Sequence, residues 1–291
     1  MTVSCRRSPG CWRTTAARPA RTRKKGRTYE AARAGGDAGG TVWAMPRGYF
    51  EAVSEVEVGE PLEAADPRAQ MREHSYVTKV DRVGVVALEG VIFSRVDLGR
   101  MVRSPEGFRR DVEQAIADPE LDAVVIDVRS PGGATWMLAD THEKLMRLRG
   151  QKPVIAVVES IALSAAYWLV SAADEIVVAP GAEVGSIGVW TQHVDMSAML
   201  DAEGVKVSVI QRPNTKAELH PAIPLSDEAR AHEQALVDTA YRRFVADVAK
   251  GRGVRAGEVE SEFSPGRTEE ARQAVSLRMA DRVGTLEDTV K

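Results

Sequence analysis

The middle of the chain reads Val154-Ile-Ala-Val-Val-Glu-Ser-Ile-Ala-Leu-Ser164-Ala-Ala-Tyr-Trp168. The first five of these residues are all apolar, which is typical of a strand buried on both faces of a sheet. The small residues that follow Ser164 predict a helix that continues to Ala173. A buried strand that leads into a helix is the repeating unit of α/β folds, so this stretch indicates the fold class.

The same alternation extends to both sides of this stretch. Apolar runs predict further strands at 83–88, 122–128 and 176–179, and another apolar segment lies at 184–190. A further strand is expected at 205–210. Intervening segments predict helices at 105–118, 135–148, 196–203, 226–250 and 269–278. Ser104 before Pro105 is a typical N-cap followed by a first-turn proline. We therefore expect an α/β fold with a sheet covered on both faces.

Charge and composition divide the chain into three parts. Residues 1–40 carry ten Lys and Arg residues against Glu30 and Asp37, although the net charge of the whole chain is −3. This composition predicts a basic disordered tail, which could contact nucleic acid. Residues 41–81 are a weakly patterned lead-in with a short helix expected at 43–53. Residues 82–291 are expected to form a single domain.

The sequence also indicates the cellular compartment in which the protein is expected. The tail has no apolar core before a small-residue cleavage site, so we do not expect a secretory signal. No run of 18 apolar residues occurs, so we expect no membrane span. Both cysteines, Cys5 and Cys11, lie in the tail, which leaves the domain without disulfides or thiolate metal ligands. These features favour a cytoplasmic protein.

Two segments carry groups that suit nucleophilic chemistry. Ser164 begins a helix, where free N–H groups and the positive end of the helix dipole stabilise a negatively charged oxygen. Ser130-Pro-Gly-Gly133 follows a predicted strand, and its paired glycines can turn an N–H outward as an oxyanion donor.

The serine also needs a base, because its hydroxyl is a weak nucleophile. Lys216 follows the predicted strand 205–210 and is the candidate base. A lysine base must be neutral, which requires burial and support. The hydroxyl of Ser186, in Gly185-Ser-Ile-Gly188, is a candidate to hold its amine.

Together these segments resemble the signal peptide peptidase A (protease IV) family, and within it the soluble branch of phage prohead or capsid maturation proteases. The resemblance extends over residues 82–289. The matching motifs are Asp127-Val-Arg-Ser-Pro-Gly-Gly133, Ser164-Ala-Ala-Tyr-Trp168, Ala172-Ala-Asp-Glu-Ile176, Gly185-Ser-Ile-Gly188, Lys216, Pro224-Leu-Ser226, Gly251-Arg-Gly253 and Ala280-Asp-Arg-Val-Gly-Thr-Leu-Glu-Asp288.

The resemblance implies a ClpP/crotonase-like fold and a serine endopeptidase with a Ser/Lys dyad and no cofactor or metal. It makes Ser164 the nucleophile, Lys216 the general base and Ser186 the residue that positions the lysine. The implied oxyanion donors are the N–H groups of Gly132 or Gly133 and of Ala165.

The resemblance also implies partners. Single-domain members form rings in which serine and lysine can come from neighbouring protomers. A phage-type member would process a capsid, portal or scaffold protein, in the cytoplasm or within an assembling procapsid. Membrane-associated members often read Ser-Gly-Gly where this chain has Ser164-Ala-Ala, which favours the phage branch. Phage-type members usually read Glu-Gly-Asn-Pro after the lysine, where this chain has Ala217-Glu-Leu-His220-Pro221.

Four alternatives remain open at the level of sequence. A Ser-His-Asp triad would use His193 with Asp195 or Asp201. Acyl-CoA chemistry of the crotonase type would need a glutamate base. A signal-peptide-degrading enzyme would keep the dyad with another substrate, and a ring-forming scaffold would keep the fold without turnover.

Overall fold

The computed structural model describes residues 43–44, 77–93 and 102–291. The predicted basic tail and most of the lead-in lie outside these residues. Trp43–Ala44 form a short strand, so the helix expected at 43–53 is wrong at its start, and the remainder of that prediction lies outside the described residues.

The strands are β1 (Trp43–Ala44), β2 (Val77–Val80), β3 (Val83–Ile92), β4 (Val102–Arg103), β5 (Ala123–Ala134), β6 (Val154–Leu163), β7 (Glu175–Val178), β8 (Glu183–Gly185), β9 (Thr268–Glu270) and β10 (Arg282–Val283). The helices are α1 (Pro105–Ala117), α2 (Leu138–Leu148), α3 (Ala165–Val170), α4 (Ser197–Ala202), α5 (Asp227–Arg252), α6 (Ala256–Glu262), α7 (Ala271–Ser276) and α8 (Leu286–Val290).

The central sheet has the order β10-β7-β6-β5-β3-β2. Its strands are parallel except for the antiparallel pair of β2 and β3. Helices α1 and α3 pack on β3 and β5. The other face carries a smaller cluster around Val125 and Val157, against which Leu286 and Val290 of α8 pack. The predicted α/β class is confirmed.

Strands β5 and β6 are both longer than the sequence predicted. Strand β5 was expected to end before the Ser130-Pro-Gly-Gly133 turn, but it continues through these residues because Gly132 and Gly133 pair with Val91 and Ile92 of β3. Strand β6 continues to Leu163, and the register shifts so that Ser130 pairs with Ala162. The two extensions bring the glycine pair and Ser164 to the same end of the sheet.

Helix α3 is the centre of the hydrophobic core. All six of its residues are buried. The Trp168 ring stacks on Phe244 of α5 at 4.5 Å between centroids, and its Nε1 donates to an Asp247 carboxylate oxygen at 3.0 Å. The Tyr167 hydroxyl donates to the Met279 carbonyl at 2.9 Å. These contacts fix the helix that begins directly after Ser164.

Residues 190–225, here called the arm, pack loosely against the rest of the domain. Helix α4 within it has no buried residue. The strand expected at 205–210 does not form, and the Ile210 side chain is 99% exposed. A strand needs a neighbouring strand to satisfy its backbone groups, and this segment pairs with none of the described strands.

The remaining helices follow local sequence signals. The predicted helix at 105–118 is confirmed as α1, where the Ser104 hydroxyl accepts from the Gly107 amide at 3.0 Å. The predicted helix at 226–250 is confirmed as α5, where the Ser226 hydroxyl accepts from the Ala229 amide at 3.1 Å. None of the helices in the described part of the chain has the length and apolar composition needed to cross a bilayer.

Candidate active site

Ser164 lies at a sharp turn between β6 and α3. Its backbone adopts φ 54° and ψ −115°, a region that normally requires glycine. Strain of this kind is worth about 1–3 kcal/mol and persists only when the surrounding structure enforces it. A serine on a strained strand-to-helix turn is the arrangement by which many hydrolases present a nucleophile.

The contacts of Ser164 explain how the turn is held. Its amide donates to the Gly185 carbonyl at 2.7 Å, because β8 pairs with the end of β6. Its hydroxyl donates to the Gly188 carbonyl at 3.3 Å, which is a long hydrogen bond. The residue is almost fully buried. The hydroxyl is thus fixed in direction while its only bond among the described residues is weak.

The two glycines of β5 have different roles. The Gly132 amide donates to the Ser130 hydroxyl at 3.2 Å, and that hydroxyl donates to the Gly90 carbonyl at 2.6 Å. The Gly132 N–H is therefore already used, which leaves Gly133 as the better candidate donor. A Cβ at Gly133 would lie 1.7 Å from the Ile92 carbonyl oxygen, so only glycine allows this approach of β3.

The predicted third donor is the Ala165 amide. As the first residue of α3, Ala165 has no helical carbonyl one turn earlier to accept its N–H. It is buried beside the nucleophile. Its role as an oxyanion donor stays a prediction.

Ser186 is brought close to Ser164 along the chain segment that follows β8. Its φ is 53°, and its amide donates to the Arg267 carbonyl at 2.5 Å. The pairing of Leu163 with Gly185 sets both serines one residue beyond the same strand pair. The sequence motif Gly185-Ser-Ile-Gly188 therefore supplies the carbonyl groups that hold Ser164 as well as the Ser186 hydroxyl.

Lys216 is not brought to Ser164 within one chain. It lies on the arm with an exposed side chain, and its backbone amide donates to the Pro213 carbonyl at 3.1 Å. Among the described residues its ammonium group makes no hydrogen bond or ion pair, so the single chain does not provide the burial that a lysine base needs. Its assignment as the base stays a prediction.

The hydrogen bonds around His193 do not support the alternative of a Ser-His-Asp triad. The His193 Nε2 pairs with the Ile223 carbonyl at 3.1 Å. The hydroxyl and amide of Ser197 donate to Asp195 and hold the pKa of that carboxyl below its ordinary value. Asp201 lies exposed on α4. Neither the imidazole nor these carboxylates bond to each other or to Ser164 in the described part of the chain.

A second histidine, His142 on α2, lies behind the core helix. The Ser171 hydroxyl donates to the Trp168 carbonyl at 2.7 Å, so His142 Nε2 donates to that hydroxyl at 3.1 Å. The His142 Nδ1 is buried without a partner among the described residues. Burial lowers the pKa of His142 to about 3, and the nearby Arg149 charge adds to this shift. The imidazole is therefore neutral and structural.

Sequence reasoning missed one feature of the site. Strand β1 pairs antiparallel with β5, with Trp43 opposite Ala134 and Ala44 opposite Gly133. A two-residue strand has no periodic pattern, and its partner lies far away in the sequence, so no local signal identifies it.

The strained serine, the glycine pair at the end of β5 and the start of α3 lie at one end of the sheet of an α/β protein. A family model for peptidase family S49 matches residues 146–291, which include Ser164, Ser186 and Lys216. The chain belongs to this family. The matched part begins after Gly133 of β5.

Similar proteins include two from phages and one bacterial peptidase. The chain is 32% identical to the head-tail preconnector protein GP5 of Enterobacteria phage P21, over 60% of this chain and 36% of that protein. It is 29% identical to the capsid assembly protease C of Escherichia phage lambda, over 59% of this chain and 40% of that protein. It is 27% identical to a putative signal peptide peptidase SppA of Enterococcus faecium, over 74% and 61%. The chain thus matches well under half of each phage protein.

Among solved structures, the chain is similar to a ClpP1 mutant from Listeria monocytogenes. The TM-score is 0.44 and the identity 11%, with 71% of this chain and 94% of that chain covered.

Proposed function

We propose that the protein is a serine endopeptidase with Ser164 as nucleophile and Lys216 as general base. The observation that carries this proposal is the strained, buried turn at Ser164, opposite the Gly133 end of β5. Backbone strain of this size clusters at active sites, ligand clamps and switch regions, which supports a reactive role for Ser164. Membership of a peptidase family supports the same reaction class.

The reaction follows from these groups. The Ser164 oxygen attacks the peptide carbonyl carbon while its proton passes to the neutral amine of Lys216. The carbonyl oxygen becomes negatively charged and accepts hydrogen bonds from the Gly133 and Ala165 amides. The carbon–nitrogen bond then breaks, and the lysine returns the proton to the leaving amine. Water, deprotonated by the same lysine, then attacks the Ser164 ester, and the lysine returns that proton to the Ser164 oxygen as the ester bond breaks. Ser186 holds the amine in place.

We further propose that Lys216 acts on the serine of a neighbouring copy. The arm that carries it exposes apolar side chains that a folded monomer would normally bury, namely Val194, Val205, Val207 and Ile210. A second copy that covers this surface would exclude water from the lysine as well. Burial favours the neutral amine, so assembly would produce the base. A homo-oligomer with shared sites is thus the proposed active form.

The proposed substrate is a capsid, portal or scaffold protein of a phage. The support for it is the similarity to the phage lambda capsid assembly protease. The similarity to a putative signal peptide peptidase supports a second candidate, the degradation of signal peptides.

The first test is covalent labelling of the purified protein with a fluorophosphonate probe, with the adduct mapped by mass spectrometry. We expect labelling at Ser164 that is lost in Ser164→Ala and Lys216→Ala. Lys206→Ala is the matched control, since Lys206 is an exposed lysine on the same arm and should label normally. His193→Ala should label normally too. Full labelling of Lys216→Ala would contradict the dyad.

Mixing the variants tests whether the lysine acts between copies. After subunit exchange, the Ser164→Ala protein should restore labelling of the Lys216→Ala protein, because one copy supplies the lysine and the other the serine. No restoration in a mixed assembly would mean that both residues act within one chain. A folded, assembled wild-type protein that never labels would instead support a scaffold without turnover.

A further inference from the structure

The edge of β5 nearest to Ser164 is already occupied by the chain itself. On one side, β5 pairs with β3 as far as Ile92 and Gly133. On the other side it pairs with β6, and the last pair is Ser130 with Ala162. Beyond this pair, β6 turns away toward Ser164 and leaves the edge of β5 open. Strand β1 fills that edge at 133–134.

A peptide substrate must use the same edge. Its reacting carbonyl has to lie within reach of both the Ser164 hydroxyl and the Gly133 amide. An extended peptide that adds to an open strand edge satisfies its backbone groups by pairing with it. The edge at Gly133–Ala134 can pair with one strand at a time on this side, so β1 and a bound substrate exclude each other.

We infer that residues 43–44 occupy the substrate-strand position and compete with peptide substrates from within the same chain. This inference rests on the proposed function, because it takes Ser164 and Gly133 as the reacting centre. Strand β1 is only two residues long, so few backbone hydrogen bonds bind it to the edge of β5. Its covalent attachment compensates, since a tethered segment acts at an effective concentration in the millimolar range.

The paired β1 therefore excludes peptides that bind the edge of β5 weakly, and peptides that bind it strongly displace β1. A substrate with a long complementary strand displaces β1, whereas a short or poorly matched peptide does not. The pairing of β1 with β5 therefore raises the affinity that a peptide needs in order to be cleaved, and it leaves the reacting groups of the site unchanged. It predicts an effect on substrate binding and none on the rate of the bound complex.

The test uses the full-length chain with prolines in β1. Proline lacks the N–H that a strand donates, so Trp43→Pro/Ala44→Pro should release the edge of β5. The control is Ala31→Pro/Ala32→Pro, which introduces two adjacent prolines in the basic segment before β1. Both are made in a Ser164→Ala background for the binding measurements, so that these do not depend on turnover.

Two binding measurements decide the inference. Successive N–H groups of a strand point to opposite edges, so one amide of the pair Gly133 and Ala134 faces β1. Hydrogen exchange at that amide should become at least tenfold faster in the β1 variant and stay unchanged in the control. A fluorescent peptide of residues 38–50 should bind the β1 variant about tenfold more tightly than the control, which corresponds to about 1.4 kcal/mol. Equal exchange and equal peptide affinity in the two proteins would overturn the inference.

A kinetic measurement separates this inference from the proposed function. With Ser164 restored, the β1 variant should cleave a peptide with a lower KM and an unchanged kcat. If neither protein cleaves or labels while the exchange and binding differences persist, the proposed function fails and the occupied edge stands. If labelling is normal but the β1 variant matches its control in every measurement, the proposed function stands and the occupied edge is refuted.

Discussion

Because the turn at Ser164 is strained, we predict that the Ser164→Gly variant is more stable than the Ser164→Ala variant. This order is the reverse of the one expected at an ordinary buried position. Replacement by alanine removes the hydroxyl and keeps the Cβ that conflicts with φ 54°. Replacement by glycine removes the hydroxyl and the conflict. At an ordinary buried position glycine is the worse choice, because it gains backbone freedom on unfolding and leaves a small void. The comparison of the two variants therefore isolates the strain.

The magnitude can be estimated from three contributions. Relief of the strain should stabilise Ser164→Gly by about 2 kcal/mol. The extra backbone entropy of unfolded glycine costs about 0.7 kcal/mol. The loss of one buried carbon costs about 0.8 kcal/mol. Ser164→Gly should thus be about 0.5 kcal/mol more stable than Ser164→Ala, whereas without strain it would be about 1.5 kcal/mol less stable.

The matched control is the same pair of substitutions at Ser171, which is fully buried and has an ordinary helical φ of −61°. There we expect glycine to be about 1.5 kcal/mol less stable than alanine. Urea unfolding followed by circular dichroism gives both differences. If the two positions behave alike, the backbone at Ser164 is not strained and the argument from the turn is wrong.

Two further predictions concern Gly133 and His142. Gly133→Ala would force a Cβ to within 1.7 Å of the Ile92 carbonyl oxygen, so it should lower stability by about 1–3 kcal/mol and fluorophosphonate labelling by at least about 100-fold. The control Gly257→Ala lies in α6 and brings its new Cβ within 4 Å of no neighbouring group, so it should raise stability by about 0.7 kcal/mol and leave labelling unchanged. Normal labelling of a stable Gly133→Ala protein would exclude the glycine from the site. Because the pKa of His142 falls from 6.5 to about 3 on folding, the unfolded chain binds a proton first as the pH drops, and stability should fall by up to about 1.4 kcal/mol per pH unit between 6.5 and 3. Urea titrations at several pH values should show a smaller fall for His142→Gln, and an equal fall would assign the pH dependence to other groups.

Much of the fold could be predicted from local patterns. Strands β3, β5 and β6 are apolar runs, and such runs identify buried parallel strands without knowledge of their partners. Helices α1 and α5 begin at serine N-caps that are readable from the sequence. These signals depend only on residues a few positions apart, so the sequence alone is sufficient to identify these strands and helices.

The errors arise where long-range pairing decides the structure. The segment Lys206-Val-Ser-Val-Ile210 alternates as a half-buried strand does, but no described strand is near enough to pair with it. The Ser130-Pro-Gly-Gly133 turn instead continues as a strand because β3 lies beside it. For 206–210 no described neighbouring strand is available, and for the Ser130-Pro-Gly-Gly133 segment the decisive neighbour is distant in the sequence.

The candidate site was predictable in its residue types but not in its geometry. Small residues and glycines around Ser164 and Gly133 indicated a nucleophile and an oxyanion site. Nothing local indicates that Ser164 adopts a positive φ, because its pairing with Gly185 and the burial of α3 impose that conformation. The exposure of Lys216 was also not readable, since it depends on how the arm packs.

The exposed arm makes the activity of the protein dependent on its concentration under the proposed mechanism. If Lys216 reaches the serine of a neighbouring copy, an isolated chain is inert however well it folds. Activity per chain would then rise with protein concentration and disappear on dilution, which can be followed by labelling over a dilution series. A peptidase of this kind needs no separate inhibitor while it is being synthesised. Crowding many copies into one small compartment would itself start proteolysis.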